Sequence, residues 1–140
     1  MSAERAIHER LSSYRPILDL VPIDRILTGW LPTEDTTTLP VDLPFISLTR
    51  DGVSQVERTN GNLTIETFIM RMDIYAETLT TGKPIAQRMY DYFNRADFPW
   101  SRGRVLDCKL NNYIEERLPQ AFWHASQEWK VIATMTGIGA

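Results

Sequence analysis

At 140 residues, with 43% hydrophobic and 24% charged residues, the chain is long enough for one hydrophobic core, and a chain of this size buries roughly 70% of its unfolded surface on folding. A formal net charge of −3, with no block of like charge, excludes binding modes built on a concentrated basic surface, so no specific nucleic-acid binding is expected. No run of about 18 apolar residues is present, and MSAERAIHERL is charged too early for a signal-peptide core, so the expectation is a protein made in the cytoplasm without a membrane span.

Taken in chain order, Ala3, Ile7, Leu11 and Tyr14 repeat at helical spacing after a candidate cap at Ser2, and Arg15-Pro16 stops the pattern. Residues 17–21 suit one further turn. Pro22, Pro32, Pro40 and Pro44 then keep the backbone extended or irregular, with a short strand in 25–31 and an exposed loop at TEDTTT. LPFISLTR (43–50) has strand composition and runs into the turn signal Asp51-Gly52. Asn60-Gly61 is a second turn signal, suited to a tight hairpin. Residues 53–58 and 62–68 therefore form a hairpin, or 51–62 forms one long loop.

The next stretch organises the chain. From Leu63 to Ala76, Phe68, Met70, Met72 and Ile74 share a core face, while Ile65, Thr67, Ile69, Arg71, Asp73 and Tyr75 share a mixed one, because strand side chains alternate. The period then changes to about 3.6 at Ile85, Ala86, Met89, Tyr90 and Phe93, which predicts a helix starting near Leu79 or Thr80. Pro84 suits its first turn. Two further alternating segments follow. In 105–115, Leu106, Cys108, Leu110 and Ile114 fall opposite Asp107, Lys109, Asn111 and Glu115. In 122–135, Trp123, Ala125, Trp129, Val131, Ala133 and Met135 fall opposite His124, Ser126, Glu128 and Lys130. They read as an antiparallel pair.

The predicted fold is a single α+β domain over residues 1–140: a two-layer, largely antiparallel sheet, two helices on one face, and a projecting hairpin or loop. Flexible loops are expected near 33–39 and 53–62, with a frayed tail over 136–140.

Chemistry-bearing residues are sparse. His8 lies on a charged helix, His124 on a polar strand face and Cys108 on an apolar one, where a lone cysteine behaves as a small core hydrophobe. With one cysteine there is no internal disulfide, which points to a reducing place of synthesis. Two histidines and scattered carboxylates do not make a metal site, the glycines do not make a phosphate loop, and Glu115-Glu116 point to opposite faces of a strand. No catalytic, cofactor or metal residues are predicted. Trp30 and Trp100 sit in irregular segments, where they either plug the core or anchor an interface. The mixed face is either half-covered by loops or a subunit contact. The predicted interface comprises Ile65, Ile69, Arg71, Asp73 and Tyr75 with the polar tip residues Gln55, Glu57, Arg58 and Asn60. On this reading Arg71→Ala or Tyr75→Ala impairs assembly more than folding.

The leading helix, LVPIDRILTGWLP, LPFISLTRDG, the strand FIMRMDIYAETL running into PIAQRMYDYF, VLDCKLNNYIEER and the closing WHASQEWKVIATM together resemble the small phage tail-completion family, which includes tail terminators of long-tailed phages. The likeness lies in the type and order of these pieces. It implies a structural, non-enzymatic virion protein of the tail or neck, assembled in the host cytoplasm. Such a protein forms a ring, usually a hexamer, on the head-proximal end of the tail tube, stops tube growth and joins tail to head. The implied partners are further copies of itself, the tail tube protein and a head connector or completion protein, with DNA passing through the ring and no cofactor. LNNYIEER and TEDTTT have no counterpart in the family pattern, so another neck protein remains open. The alternative is a nuclear-transport-factor-like α+β cone that binds a small molecule or acts as a weak enzyme.

Overall fold

The computed structural model describes residues 3–30, 39–58, 63–117 and 122–136; the side chains of residues 52–55 and 58 are outside the description. The predicted cap Ser2, the TEDTTT loop, the 59–62 turn and residues 137–140 all lie outside it.

The chain begins with α1 (Glu4–Ser12) and a short α2 (Arg15–Leu18), followed by a 3₁₀ turn (Ile23–Arg25) and β1 (Ile26–Thr28). β2 (Phe45–Arg58) and β3 (Leu63–Ala76) lead into α3 (Leu79–Phe93), and β4 (Phe98–Trp100), β5 (Gly103–Arg117) and β6 (Trp123–Thr136) complete the chain. One six-stranded sheet runs in the order β1-β2-β3-β6-β5-β4. Every pairing is antiparallel except that of β1 with β2. The result is a mixed helix and strand fold dominated by sheet.

Phe68, Met70, Met72 and Ile74 of β3 are buried together with Ile7 and Leu11 of α1, Ile17 of α2, and Ile85, Met89 and Phe93 of α3. That is the core face anticipated from their alternation. Trp129 of β6 is fully buried among them, its indole N–H donating to Gln127 Oε1 at 3.3 Å. Trp100 closes one end of the core and donates to the Thr134 carbonyl at 3.1 Å. Charged groups pin the helices: the Arg10 guanidinium lies 3.7 Å from the Tyr92 ring centroid and 4.2 Å from that of Phe98, a favourable cation–π geometry. Arg50 of β2 reaches Glu4 at 2.6 Å and Glu66 at 2.5 Å. Burial pulls the Arg50 guanidinium down, but its bonds to the two glutamates hold it above its ordinary value.

α3 starts where its spacing predicts, with the Thr78 hydroxyl accepting the Thr81 N–H at 3.3 Å. Pro84 lies in the second turn of this helix rather than the first. Gly82 lets α3 approach the sheet, because a Cβ there would stand 2.1 Å from the Trp123 ring.

Three sequence expectations change. Asp51-Gly52 does not end a strand: β2 continues to Arg58 and stays paired with β3 as far as Arg58↔Thr64, so 53–58 is strand rather than flexible loop. The long partner absorbs the turn-prone dipeptide as a register irregularity between Asp51 and Gln55, as glycine inside a ladder commonly does. In β5, irregularities at Val105/Asp107 and Leu110/Asn112 shift the side-chain alternation. Val105 and Cys108 are therefore buried while Leu106 and Ile114 are exposed, so those two do not share the core face assigned to them. Finally, β4 forms where only a helix terminus was expected.

Both outer long strands keep a free stretch. β1 covers β2 only at Ile46–Leu48, with one more bond from Gly29 N–H to the Leu48 carbonyl at 2.9 Å. β4 covers β5 only at Gly103–Val105, with the Arg95 N–H reaching the Cys108 carbonyl at 2.8 Å. Among the described residues, no strand pairs with the outer edge of β2 from Thr49 on, or of β5 from Lys109 on.

Candidate functional site

The second face of the sheet, away from the helices, carries Phe45, Ser47 and Thr49 on β2 and Tyr75, Asp73 and Arg71 beside them on β3. Alongside β3, β6 contributes His124, Ser126 and Glu128, and β5 contributes Glu116, Ile114 and Asn112. Its two ends differ in character.

At one end the face is closed. Phe45, Tyr75 and Phe122 form a small second core, packed against Leu27, Trp30, Leu39, Val41 and Leu43. Tyr75 stacks on Phe45 with ring centroids 4.7 Å apart, lies 4.6 Å from the His124 ring on its other side, and meets the Trp30 indole edge-on at 5.2 Å. Such pairs contribute about 0.5–1.5 kcal/mol each beyond burial. The Tyr75 hydroxyl is buried without a hydrogen-bond partner among the described residues. Burial, reinforced by Asp73, raises its pKa well above the ordinary value.

Below this cap runs a row of charge. His124 lies 2.7 Å from Asp73 through Nε2 and 2.9 Å from Glu116 through Nδ1. Ionised carboxylates only accept hydrogen bonds, so both contacts are satisfied together when the ring carries both N–H protons. Arg71 Nε donates to Asp73 Oδ1 at 3.1 Å and to Ser126 Oγ at 3.0 Å. Asp73 is fully buried and His124 nearly so, whereas the Glu116 side chain is half exposed at the rim. Arg71, Ser126, Glu116 and His124 border a cleft of about 180 Å³ with Asn112, Ile114 and Glu128.

Toward the other end the face opens. Ile65, Thr67, Ile69 and Ile132 are half-buried and Lys130 and Lys109 exposed. Those two lysines sit directly opposite each other in the β5–β6 ladder, an arrangement that destabilises an isolated sheet. Neither has an ion-pair partner among the described residues.

A separate cleft of about 250 Å³ lies between α3 and β5, lined by Lys83, Ala86, Gln87, Tyr90, Leu110, Tyr113 and Gln127. Lys83 pairs with Glu115 at its rim, and the Tyr113 hydroxyl donates to the same carboxylate at 2.7 Å. The bond from Lys83, then that from Tyr113, holds the Glu115 carboxyl below its ordinary value.

The predicted interface residues therefore divide. Ile65 and Ile69 lie on the open part, with Arg71 at its border. Glu57 is exposed at the end of β2, where Gln55, Glu57 and Arg58 pair with Thr67, Ile65 and Thr64. Asn60 lies outside the described residues. Asp73 and Tyr75 are corrected: both are fully buried, at the end of the face where Leu27, Trp30, Leu39, Val41, Leu43 and Phe122 pack over Tyr75 and Phe45, so neither is surface. Trp30 plugs this second core rather than standing free.

The His124 contacts were missed. Asp73 and Glu116 come to the imidazole from separate strands, 51 and 8 residues away, and only the strand order brings them together. The placement of His124 among polar residues of β6 was visible; its burial was not. Cys108 is buried, and burial pushes its thiol up to about 12, which keeps it protonated and unreactive at neutral pH. Among the described residues, no group of three or more His, Cys, Asp or Glu is placed to hold a metal ion, and no helix is long and apolar enough to cross a membrane.

No family model matches the chain, and no curated protein matches it. Among solved structures, the chain is similar to one in the "Virion of native gene transfer agent (GTA) particle", with a TM-score of 0.64 and 17% identity, covering 95% of each chain. At that identity the likeness establishes a shared fold.

Proposed function

We propose that this chain is a structural virion protein of a phage-like particle, and more specifically a tail terminator or closely related neck protein. The observation that carries the reading is the fold likeness to a component of a gene transfer agent virion over 95% of both chains. The resemblance of its sequence phrases to tail-completion proteins supports the narrower assignment. On this reading copies close into a ring, in which two different surfaces of each subunit meet head to tail. The ring sits on the tail tube, ends its growth and offers a docking surface to a head connector. Its residence is the virion, after assembly in the host cytoplasm, and it needs no cofactor.

The physical character of the molecule supports a non-enzymatic role. Its most chemically loaded cluster has both nitrogens of His124 engaged by carboxylates beneath an aromatic cap, an arrangement that ties β3, β6 and β5 together. A small-molecule pocket of the nuclear-transport-factor-like kind would draw on the same cluster, with Glu116 swung aside to free Nδ1.

Tail assembly in the presence and absence of the protein separates the two. The expected outcome is tubes of uniform length capped at one end when it is present and overgrown tubes when it is absent. Unchanged tube lengths, together with a rise in melting temperature on adding a small carboxylate or phenol, would move the assignment to the pocket.

A further inference from the structure

Resting on the ring reading above, we infer that the ring closes by strand pairing: the free edge of β2 (Thr49–Arg58) in one copy pairs antiparallel with the free edge of β5 (Lys109–Arg117) in the next, with Glu57 seated on the Lys109–Lys130 pair.

Strand direction permits it. In the order β2-β3-β6-β5 each neighbour is antiparallel to the last, so β2 and β5 run in opposite senses. A neighbouring copy related by rotation about an axis along the strands presents its β2 to this β5 in antiparallel orientation, continuing the alternation without a break. The four strands are also matched in length, at 14, 14, 14 and 15 residues.

The stagger of the free edges permits it too. β1 blocks one end of β2 and β4 blocks the opposite end of β5, so the free stretches are diagonal to each other across the sheet. Glu57 lies on the row of Ile65, and Lys109 on the row of Ile69. Setting these two opposite one another shifts adjacent copies by about four residues along the strands for every four strands crossed, a shear of one residue per strand. That ratio belongs to closed barrels with strands tilted by about 36°. In this register the free stretches overlap from end to end.

Side chains agree with the register. Glu57 and Lys109 both project from the open face, being paired with Ile65 and Lys130. Glu57, Lys109 and Lys130 are exposed and without ion pairs among the described residues. A carboxylate entering from the next copy relieves the lysine–lysine opposition, since opposite charges across a ladder stabilise it and like charges do the reverse. On the other face Val56 meets Leu110. Val56, Tyr113 and Ile114 are among the exposed large hydrophobics of the chain, and all three stand on these two free edges, where exposed apolar strand invites pairing.

The test uses the full chain, alone at its solubility limit and with tubes polymerised from the tail tube protein of the same particle. Glu57→Cys combined with Lys109→Cys, oxidised after assembly, should give a ladder of covalent oligomers ending at the ring size, since directly opposed cross-strand positions lie within disulfide reach. Either cysteine alone should leave only monomer in denaturing gels. Glu57→Lys and Lys109→Glu should each abolish ring formation, and the two together should restore it. Because both side chains are exposed, neither variant should lower the monomer melting temperature, and Lys109→Glu, now facing Lys130 with opposite charge, should raise it slightly, which separates lost assembly from lost folding. A ring that forms in both charge variants and gives no ladder overturns edge pairing and leaves the ring standing. A wild-type chain that makes no ring under either condition overturns both.

Discussion

The two ends of the second sheet face are built on the same strands with the same alternation, yet one is core and the other is open. Near Ala76 the residues Phe45, Tyr75 and Phe122 lie under Trp30 and the 39–43 segment; near Leu63 the residues Ile65 and Ile69 share the face with Lys130 and Lys109. The difference comes from outside the strands. Among the described residues, Leu27, Trp30, Leu39, Val41 and Leu43, from the chain before β2, pack on the face at the Tyr75 end. Period-two patterning identifies which residues share a face, but the cover over that face is decided by a distant, irregular part of the chain.

Truncating one residue on each side of the border should separate the closed end from the open one. Tyr75→Ala should lose about 3–5 kcal/mol of unfolding free energy, the usual range for removing a buried aromatic, whereas Ile69→Ala should lose about 1 kcal/mol. Urea denaturation of both variants measures this, and similar losses would erase the distinction between closed and open ends. This reverses the sequence-based expectation that Tyr75 serves assembly more than folding.

The charged row under the cap comes next in size. His124→Ala removes the group that joins Asp73 to Glu116 and leaves the buried carboxylate with Arg71 alone, and breaking a buried pair on one side costs about 3 kcal/mol or more. His124→Ala with Asp73→Asn should recover part of the loss, because the uncompensated charge is gone. A double variant no more stable than His124→Ala would mean that packing, rather than charge, dominates the row.

Alkaline titration probes the buried groups on either side of the sheet. The Cys108 thiol is pushed up to about 12 from an ordinary 9.0, so the folded chain keeps a proton that the unfolded chain loses. Stability is fully present below about pH 9 and falls as the pH rises toward 12. Tyr75, raised by burial, adds to the same slope at higher pH. Cys108→Ala should flatten the decline between pH 9 and 11 in chemical denaturation; an unchanged slope would show that the thiol does not drive it.

The smallest effect carries the most specific sign. Tyr75→Phe deletes a hydroxyl that is buried without a partner among the described residues while keeping the ring stack, and relieving an unsatisfied buried group stabilises by about 1 kcal/mol. A loss of stability in this variant would reveal a partner for that hydroxyl.

Much of the fold was legible in residues 63–95. The alternation of Phe68, Met70, Met72 and Ile74 and the change of period at Leu79 located β3, α3 and the core face between them, since local spacing alone determines both. What the sequence hid was long-range or irregular. The Asp51-Gly52 signal was overruled by ladder bonds to β3, and the irregularities in β5 put Leu106 and Ile114 in solvent against simple alternation. The candidate interface was half legible: Ile65, Ile69 and Glu57 stay accessible in whole or part, while Asp73 and Tyr75 vanish under residues far away in sequence. The bonds of His124 had no local signature at all, because each partner arrives on a different strand.

On the proposed function, the open surfaces of this fold join copies into a ring on a tail tube. Negative-stain imaging of the protein mixed with polymerised tail tube tests it most directly. The expected image is a closed ring with a central opening seated on one end of each tube. Bare tube ends, with the protein remaining monomeric in solution, would contradict it.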